Sequence, residues 1–497
     1  MNWVNDCRSH HPECRQLQKD EIWRPTRLID IGNEGDGKWK IVSLPDELES
    51  PPTYMTLSYT WGSAKNFRLL KTNLSSFQNG LPITDLPRTF QDACIVAWRF
   101  SVRYLWIDSL CIIQDCDQDW SRESAAMRLV YANALCNIAA AASSDPNGGL
   151  FRARNPASLQ PIIVRAVLDE TTPPKDYYAV DSQYVQRQLL DRELLKRGWV
   201  FQERLLCPRV LYFTEEQVFW ECFTAQRCET FPHHIPCARS SKAEALPMLT
   251  DLVKGSLVVE DRPTLSITSR WKQLVQDYTN CKLTKASDRL FAIEGVADLF
   301  RNAFHDTYFF GLWRTELVRQ LSHYVESPRK ESSSQWIAPS WSWASLQSPI
   351  KFDYYSSLPD TTEHVSMLGV DPIHGILTLQ GHIFEVRLNW SWKYDVVEEF
   401  ALEHAQRYPD RVGIRLDVTR NVTLMPLISY EIESPIRGLG CLVLEPILVT
   451  TFTSYRRIAY MIFEFWDEEG LGFMDMSYSA DGSATITGVD PSTIRLM

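Results

Sequence analysis

The sequence predicts an α/β protein. A mostly parallel sheet with helices on its faces is expected over residues 51–235, then a helical region at 236–334 and a β-rich region at 335–497, with a lead-in at 1–50. Three observations lead there. Between residues 53 and 150, extended apolar runs alternate with helical periodicity, the pattern of parallel strands joined by crossover helices. One such run, residues 104–113, is apolar almost throughout and is broken by Asp108-Ser109, as a strand buried on both faces and its following turn would be. Beyond residue 335 strands dominate, at 377–388, 441–448 and 457–466, with one helix expected around 398–407.

The elements follow in order. Pro51-Pro52 closes the lead-in, and residues 53–61 read as a strand stopped by Gly62. Residues 81–87 form a loop. A helix follows at 89–99, with Phe90, Ala93, Cys94, Val96 and Ala97 on one stripe. A second helix is expected at 119–133, capped by Asp119 or Ser121, with Glu123 in its first turn where the helix dipole favours a carboxylate. Residues 135–142 suit a buried strand, and 145–149 (Asp-Pro-Asn-Gly-Gly) a turn. After an excursion at 151–190 come a short helix at 199–206, a break at Pro208, and two strands at 210–213 and 217–222.

Bulk properties exclude several classes. The chain has 497 residues, 44% of them apolar and 23% charged, so it reads as globular with more than one domain. The 17 tryptophans suit broad packed layers. A net charge of −11 without a basic run argues against nucleic acid as a partner. Neither a signal peptide nor an apolar run of membrane-spanning length is visible, so no membrane association and a cytoplasmic location are expected, with the 12 cysteines mostly reduced.

Familiar catalytic signatures are absent: the sequence has no P-loop, no G-x-G-x-x-G, no G-x-S-x-G and no H-E-x-x-H. Two Cys/His clusters occur. One is Cys7, His10, His11 and Cys14; the other is Cys222, Cys228, His233, His234 and Cys237. Neither contains a C-x-x-C knuckle, so free thiols and surface histidines are the plainer reading and no metal is expected, with a zinc-dependent module built on the Cys7 cluster as the alternative. The carboxylates are more suggestive. Asp108 follows a predicted parallel strand, where open α/β sheets bind ligands, and Asp115, Asp117, Asp119 and Glu123 follow within one loop and helix start. Such carboxylates can bind sugar hydroxyls or stabilise the cationic transition state of glycosidic cleavage; they can also simply cap turns and line a solvated loop.

Several blocks stand out as a set. The first is Tyr54-Met55-Thr56-Leu57-Ser58-Tyr59-Thr60-Trp61-Gly62. The second begins Leu86-Pro87-Arg88-Thr89-Phe90-Gln91-Asp92-Ala93. It runs through Tyr104-Leu105-Trp106-Ile107-Asp108-Ser109 and Asp119-Trp120-Ser121-Arg122-Glu123 to Gly149-Leu150-Phe151. The third is Arg197-Gly198-Trp199-Val200-Phe201-Gln202-Glu203-Arg204 and its continuation to Val210. Together these blocks resemble the heterokaryon-incompatibility (HET) domain of fungi, and Gly311-Leu312-Trp313, Pro339-Ser340-Trp341-Ser342-Trp343 and Tyr455-Arg456-Arg457 resemble the tails of proteins that carry it. Thr60 stands where the family usually has Cys, which argues against a thiol nucleophile in the first block, and Phe201 where it usually has Leu or Thr.

The resemblance implies a role in self/non-self recognition that ends in programmed cell death, through an unknown incompatibility partner. It also implies a TIR-like (flavodoxin-like) fold. Some TIR domains cleave the nicotinamide–ribose bond of NAD with a glutamate that opens a helix, and Trp120-Ser121-Arg122-Glu123 is similar to that motif. On this reading Glu123 is the catalytic carboxylate. Ser58, Tyr59, Trp61, Gly62 and Asp108 border the nucleotide, and Arg88 and Arg204 meet its phosphates. NAD is then a substrate, and no cofactor is expected. The rival reading is a non-enzymatic signalling or scaffold module that acts by self-association.

Overall fold

The computed structural model describes residues 2–16, 23–44, 51–62, 67–167, 173–236, 263–329, 336–358, 360–388, 406–410, 420–433, 436–449, 452–466, 475–478, 484–487 and 490–497. The chain divides into two compact units, one of residues 1–258 and 291–299, the other of 259–290 and 300–497.

The first unit is built on a nine-stranded mixed sheet. Its centre is four parallel strands: β3 (Tyr54–Ser58), β5 (Tyr104–Trp106), β6 (Asn137–Ala139) and β9 (Arg209–Phe213), in the order β5-β3-β6-β9. The chain therefore leaves β3 to one side, then crosses back to place β6 on the other. The flanks are antiparallel. β1 (Arg27–Asp30), β2 (Lys38–Ser43) and β4 (Leu81–Pro82) extend the β5 side; β10 (Val218–Cys222) and β11 (Gln226–Cys228) extend the β9 side. The expected parallel strands are thus the core of the sheet, and part of the lead-in supplies one of its edges. β3, β6 and β9 are buried at every residue, which is why they read as unbroken apolar runs rather than alternating ones.

α1 (Asn2–His10) and α2 (Glu13–Gln16) precede the sheet, and α3 (Leu74–Asn79) and α4 (Arg88–Arg99) lie between β3 and β5. α4 buries Phe90, Ala93, Cys94, Val96 and Ala97, the stripe its spacing predicts. α5 (Asp108–Cys111) and α6 (Asp117–Asn133) join β5 to β6. α6 starts two residues before its expected start, and neither Asp119 nor Ser121 caps it: Cys116 is the capping residue, without a side-chain bond, because Asp119 faces inward to Arg27. α7 (Gly198–Leu206) leads into β9.

The second unit contains a sheet whose longest strands, Arg420–Glu433, Ile436–Val449 and Phe452–Trp466, pair antiparallel in sequence order. The helix expected around 398–407 is not found where residues are described: Gln406–Pro409 is a strand paired with Phe452–Trp466, and 398–405 lie outside the described residues. The tail motifs meet in this unit. Trp271, Trp313, Trp341 and Trp343 are all fully buried. The Gly311 carbonyl accepts from Trp271 Nε1 at 3.1 Å and from Trp343 Nε1 at 2.8 Å. Gly311 sits at φ +97°, and a Cβ there would lie 2.4 Å from Trp343 Nε1, so only glycine lets the indole approach. Arg457, wholly buried, pairs with Asp410 at 3.1 Å and donates to the Leu321 carbonyl at 2.8 Å. Among the described residues no helix is long and apolar enough to cross a membrane.

Candidate functional site

The carboxyl ends of the central strands carry a buried polar cluster. β3 ends at Ser58, whose hydroxyl donates to Glu203 on α7. Asn137 at the start of β6 donates to Ser58 Oγ at 2.9 Å and accepts from Thr56 at 3.0 Å. Just beyond β5, Asp108 accepts from the Trp61 indole at 2.9 Å and from the Ser109 amide at 2.7 Å, with the Tyr59 hydroxyl bonded to it as well. Arg197, immediately before α7, donates to the Tyr59 carbonyl and places its positive charge toward both Asp108 and Glu203. The Tyr131 hydroxyl of α6 also reaches Glu203. Four chain segments thus converge where the strand order reverses, the position at which open α/β sheets bind ligands.

The electrostatics are unusual for carboxylates. Glu203 is 4% exposed, and burial pushes its carboxyl up to about 7, with the neighbouring Asp108 charge adding to the rise and Ser58 and Arg197 opposing it. Burial likewise raises Asp108, against the pull of Arg197 and of the bonds from Trp61, Ser109 and Tyr59. Two carboxyls share one cationic neighbour, so only part of their joint charge is compensated at neutral pH. Perturbed pairs of this kind are concentrated at functional sites.

The structure joins four of the residues singled out from sequence, Ser58, Tyr59, Trp61 and Asp108, and adds Asn137, Tyr131, Arg197 and Glu203. Gly62 follows on the same loop at φ +65°, where a Cβ would lie 2.7 Å from that of Asp145; its role is to let that loop lie against the turn at 145–149. Arg88 instead pairs with Asp92 at 3.0 Å, and the buried Asp92 carboxylate accepts from the Leu150 amide at 2.8 Å. Those contacts account for the motif around Arg88-Asp92 and for Gly149-Leu150 together. Arg204 forms two bonds to Glu221, at 2.8 and 2.7 Å.

Glu123 belongs to a different group. It is 1% exposed and contacts Arg122 at 3.0 Å and Arg27 at 3.7 Å. Asp119 accepts from the same two guanidinium groups and from the Ile113 amide at 2.8 Å. Arg27, from β1, also donates to the Cys111 carbonyl at 2.8 Å. Two arginines, Arg27 buried and Arg122 exposed, against two buried carboxylates give a neutral network that fastens α6 and α5 to β1. Trp120, the other half of the Trp-x-x-Glu motif, packs edge-on against Trp199 and Phe291. Neither Arg122 nor Arg27, its two partners, belongs to the Ser58–Glu203 set.

Glu203 is the residue that sequence reasoning passed over. The signal was there: on a helix, Val200, Glu203 and Leu206 fall three apart on one face, and all are buried. A carboxylate on an apolar stripe needs a polar partner inside the protein, here Ser58 and Tyr131.

Comparison with curated proteins and with solved structures gives no match. Comparison with family models gives one match: residues 54–203, which hold β3, β5 and β6 of the four central strands, α4 to α6 and the cluster just described, match the family described as Heterokaryon incompatibility protein (HET).

Proposed function

We propose that this chain is an allorecognition protein that promotes programmed cell death, and that its HET domain does so by hydrolysing the nicotinamide–ribose bond of NAD at Glu203 and Asp108. The carrying observation is the pairing of a buried carboxyl, Glu203, with a half-buried one, Asp108, around a single arginine at the strand-order reversal of a parallel sheet. The order β5-β3-β6-β9 corresponds to 2-1-3-4 counted along the chain, the flavodoxin-like order, which supports the TIR-like reading. In the reaction the glycosidic C–N bond breaks and its electron pair leaves with nicotinamide, so positive charge develops on the ribose. An ionised Glu203 beside the ribose stabilises that charge. Water then bonds to the ribose carbon and gives its proton to a carboxylate, leaving ADP-ribose. Ser58 holds the Glu203 carboxyl in place. Asp108 and the partly exposed Trp61 lie on the side from which substrate enters, with the indole offering a face to a base or nicotinamide ring.

The test is nicotinamide release from NAD by the purified full chain at high protein concentration. Wild type is expected to turn over, Glu203→Gln to lose turnover, and Glu123→Gln to keep most of it while losing stability, because it uncovers Arg27. Turnover lost in Glu123→Gln with folding intact, and kept in Glu203→Gln, would return the catalytic role to Glu123. No turnover in wild type at any concentration would sink the enzymatic reading.

One observation favours a second reading, signalling by self-association. The antiparallel ribbon of β7 (Ile162–Ala166) and β8 (Lys175–Ala179) leaves Ile162 67%, Ile163 57%, Val164 47% and Tyr178 62% exposed. An apolar ribbon of this kind suits pairing with a second copy. On that reading the chain's mass by light scattering rises with concentration, and Ile163→Asp holds it at one chain. A mass that stays at one chain throughout removes this reading.

A further inference from the structure

We propose that Cys7, His11, Cys14 and Cys222 bind one structural zinc ion. Their four ligand atoms lie within 4.8 Å of one another, with three of the residues buried and His11 partly so. Neither sequence cluster predicted this set, because it takes three ligands from one and a single cysteine from the other. His10 is left out: its ring is exposed and pairs with Asp6 at 2.9 Å. Cys228 sits instead at 3.8 Å from the Tyr184 hydroxyl, His233 and His234 are exposed, and Cys237 lies outside the described residues.

Local structure explains the convergence. Cys7 and His11 are four apart and share one face of α1, whose last turn is continued by the His11 amide bonding the Cys7 carbonyl at 3.1 Å. The Cys14 amide bonds the His11 carbonyl at 3.2 Å, which folds the chain back so that α2 presents its cysteine to the same point. Cys222 comes from the other end of the domain, at the close of β10, where the strand turns into β11. Trp3 and Asp6 secure the docking: the Trp3 indole donates to the Pro232 carbonyl at 2.9 Å, and Asp6 pairs with Arg227.

The spacing fits a tetrahedron. With zinc–sulfur bonds of about 2.3 Å and a zinc–nitrogen bond of about 2.0 Å, the edges of the tetrahedron are roughly 3.5–3.8 Å. His11 Nδ1 lies 3.4 Å from Cys222 Sγ. Donors from the surrounding fold point at two of the sulfurs. Arg209 Nε donates to Cys7 Sγ at 3.2 Å, and the Ala225 amide donates to Cys222 Sγ at 3.3 Å. Three thiolates and one Zn2+ carry a net single negative charge (−3 + 2), which the Arg209 guanidinium offsets. Donors aimed at the sulfurs are the outer support that thiolate metal sites require. The donor set of three sulfurs and one imidazole selects zinc over harder cations, and four protein ligands leave no position open for catalysis. The ion would fasten residues 2–16 to the β10–β11 edge, joining segments more than 200 residues apart in the chain.

The full chain, purified in reductant, loaded with zinc chloride and desalted, is expected to carry about one zinc by elemental analysis. Cys222→Ser should lower its zinc affinity at least about tenfold, and His10→Ala should leave it unchanged. Cobalt(II) loaded into the wild-type chain should give the absorption of a tetrahedral thiolate site, a readout that does not depend on the folding of any variant. A loaded wild-type chain without stoichiometric zinc, a cobalt spectrum without sulfur ligation, or zinc affinity unchanged in a folded Cys222→Ser would each overturn the proposal.

Discussion

Replacing Glu203 by glutamine is expected to cut nicotinamide release from NAD by about 10²–10³-fold, the usual effect of removing one charge-stabilising group from a transition state. The same substitution should make the folded chain more stable above pH 7. Moving this carboxyl from its ordinary 4.5 up to about 7 means that ionising it inside the protein costs about 3 kcal/mol. The sign follows from proton binding. Between those two values the folded chain keeps a proton that the unfolded chain has released, so folding stability falls as pH rises. The contribution is fully present below about 4.5 and gone above about 7. Glutamine cannot ionise, so the variant lacks this loss. Melting curves taken from pH 5 to 8 should therefore show wild type dropping relative to Glu203→Gln, by about 6–12 °C at the high end for a domain of this size. Activity runs the other way: the ionised carboxylate is the working form, so wild-type turnover should climb through about pH 7. A variant that is inactive but more stable at pH 8 marks a carboxylate retained for chemistry. A variant that is inactive and less stable would instead mark Glu203 as a support for Ser58 and α7.

The parts of this site that sequence made legible are those whose burial leaves a local pattern. Ser58, Tyr59 and Trp61 end an apolar strand, and Asp108-Ser109 interrupts another, so their place at strand ends could be read from composition. The helix at 88–99 was equally visible, because a stripe at helical spacing needs only near neighbours in sequence. What was not legible depends on partners far along the chain. The opening strands of the sheet, four and six residues long, carry too little pattern to stand out. Arg27 on the first of them is the buried cation beside Asp119 and Glu123. Glu203 lies 145 residues from Ser58, and its significance appears only once α7 is laid against β3. The Cys222 thiol is likewise tied to an N-terminal histidine 211 residues away by nothing in the local sequence. Trp120-Ser121-Arg122-Glu123 has the letters of a catalytic helix start; in the fold its tryptophan packs on Trp199 and Phe291 and its glutamate pairs with Arg27 and Arg122, contacts that the motif alone does not reveal.

Arg204→Met should separate the structural role of this arginine from the phosphate-binding role its sequence suggested. In the fold Arg204 makes two parallel bonds to Glu221, whose carboxylate also accepts from the Tyr212 hydroxyl at 2.6 Å and from the Gln226 amide at 2.8 Å. Glu221 is wholly buried, at 0% exposure. Methionine fills the volume of the arginine stem and removes the charge. The carboxylate then remains in the interior with neutral donors only, an arrangement that costs about 3–5 kcal/mol. For a domain of this size that corresponds to a fall in melting temperature of about 6–20 °C. Adding Glu221→Gln should recover part of the loss, because the charge left uncompensated is then gone, and the recovery should exceed anything Glu221→Gln gives alone. If Arg204 held a substrate phosphate, the outcome would differ: KM for NAD would rise, the melting temperature would barely move, and the second substitution would recover nothing. Because the Nε–Nη2 edge of the guanidinium is held by the wholly buried Glu221, the expected result is the first: a large loss of stability, with KM unchanged in the chain that remains folded.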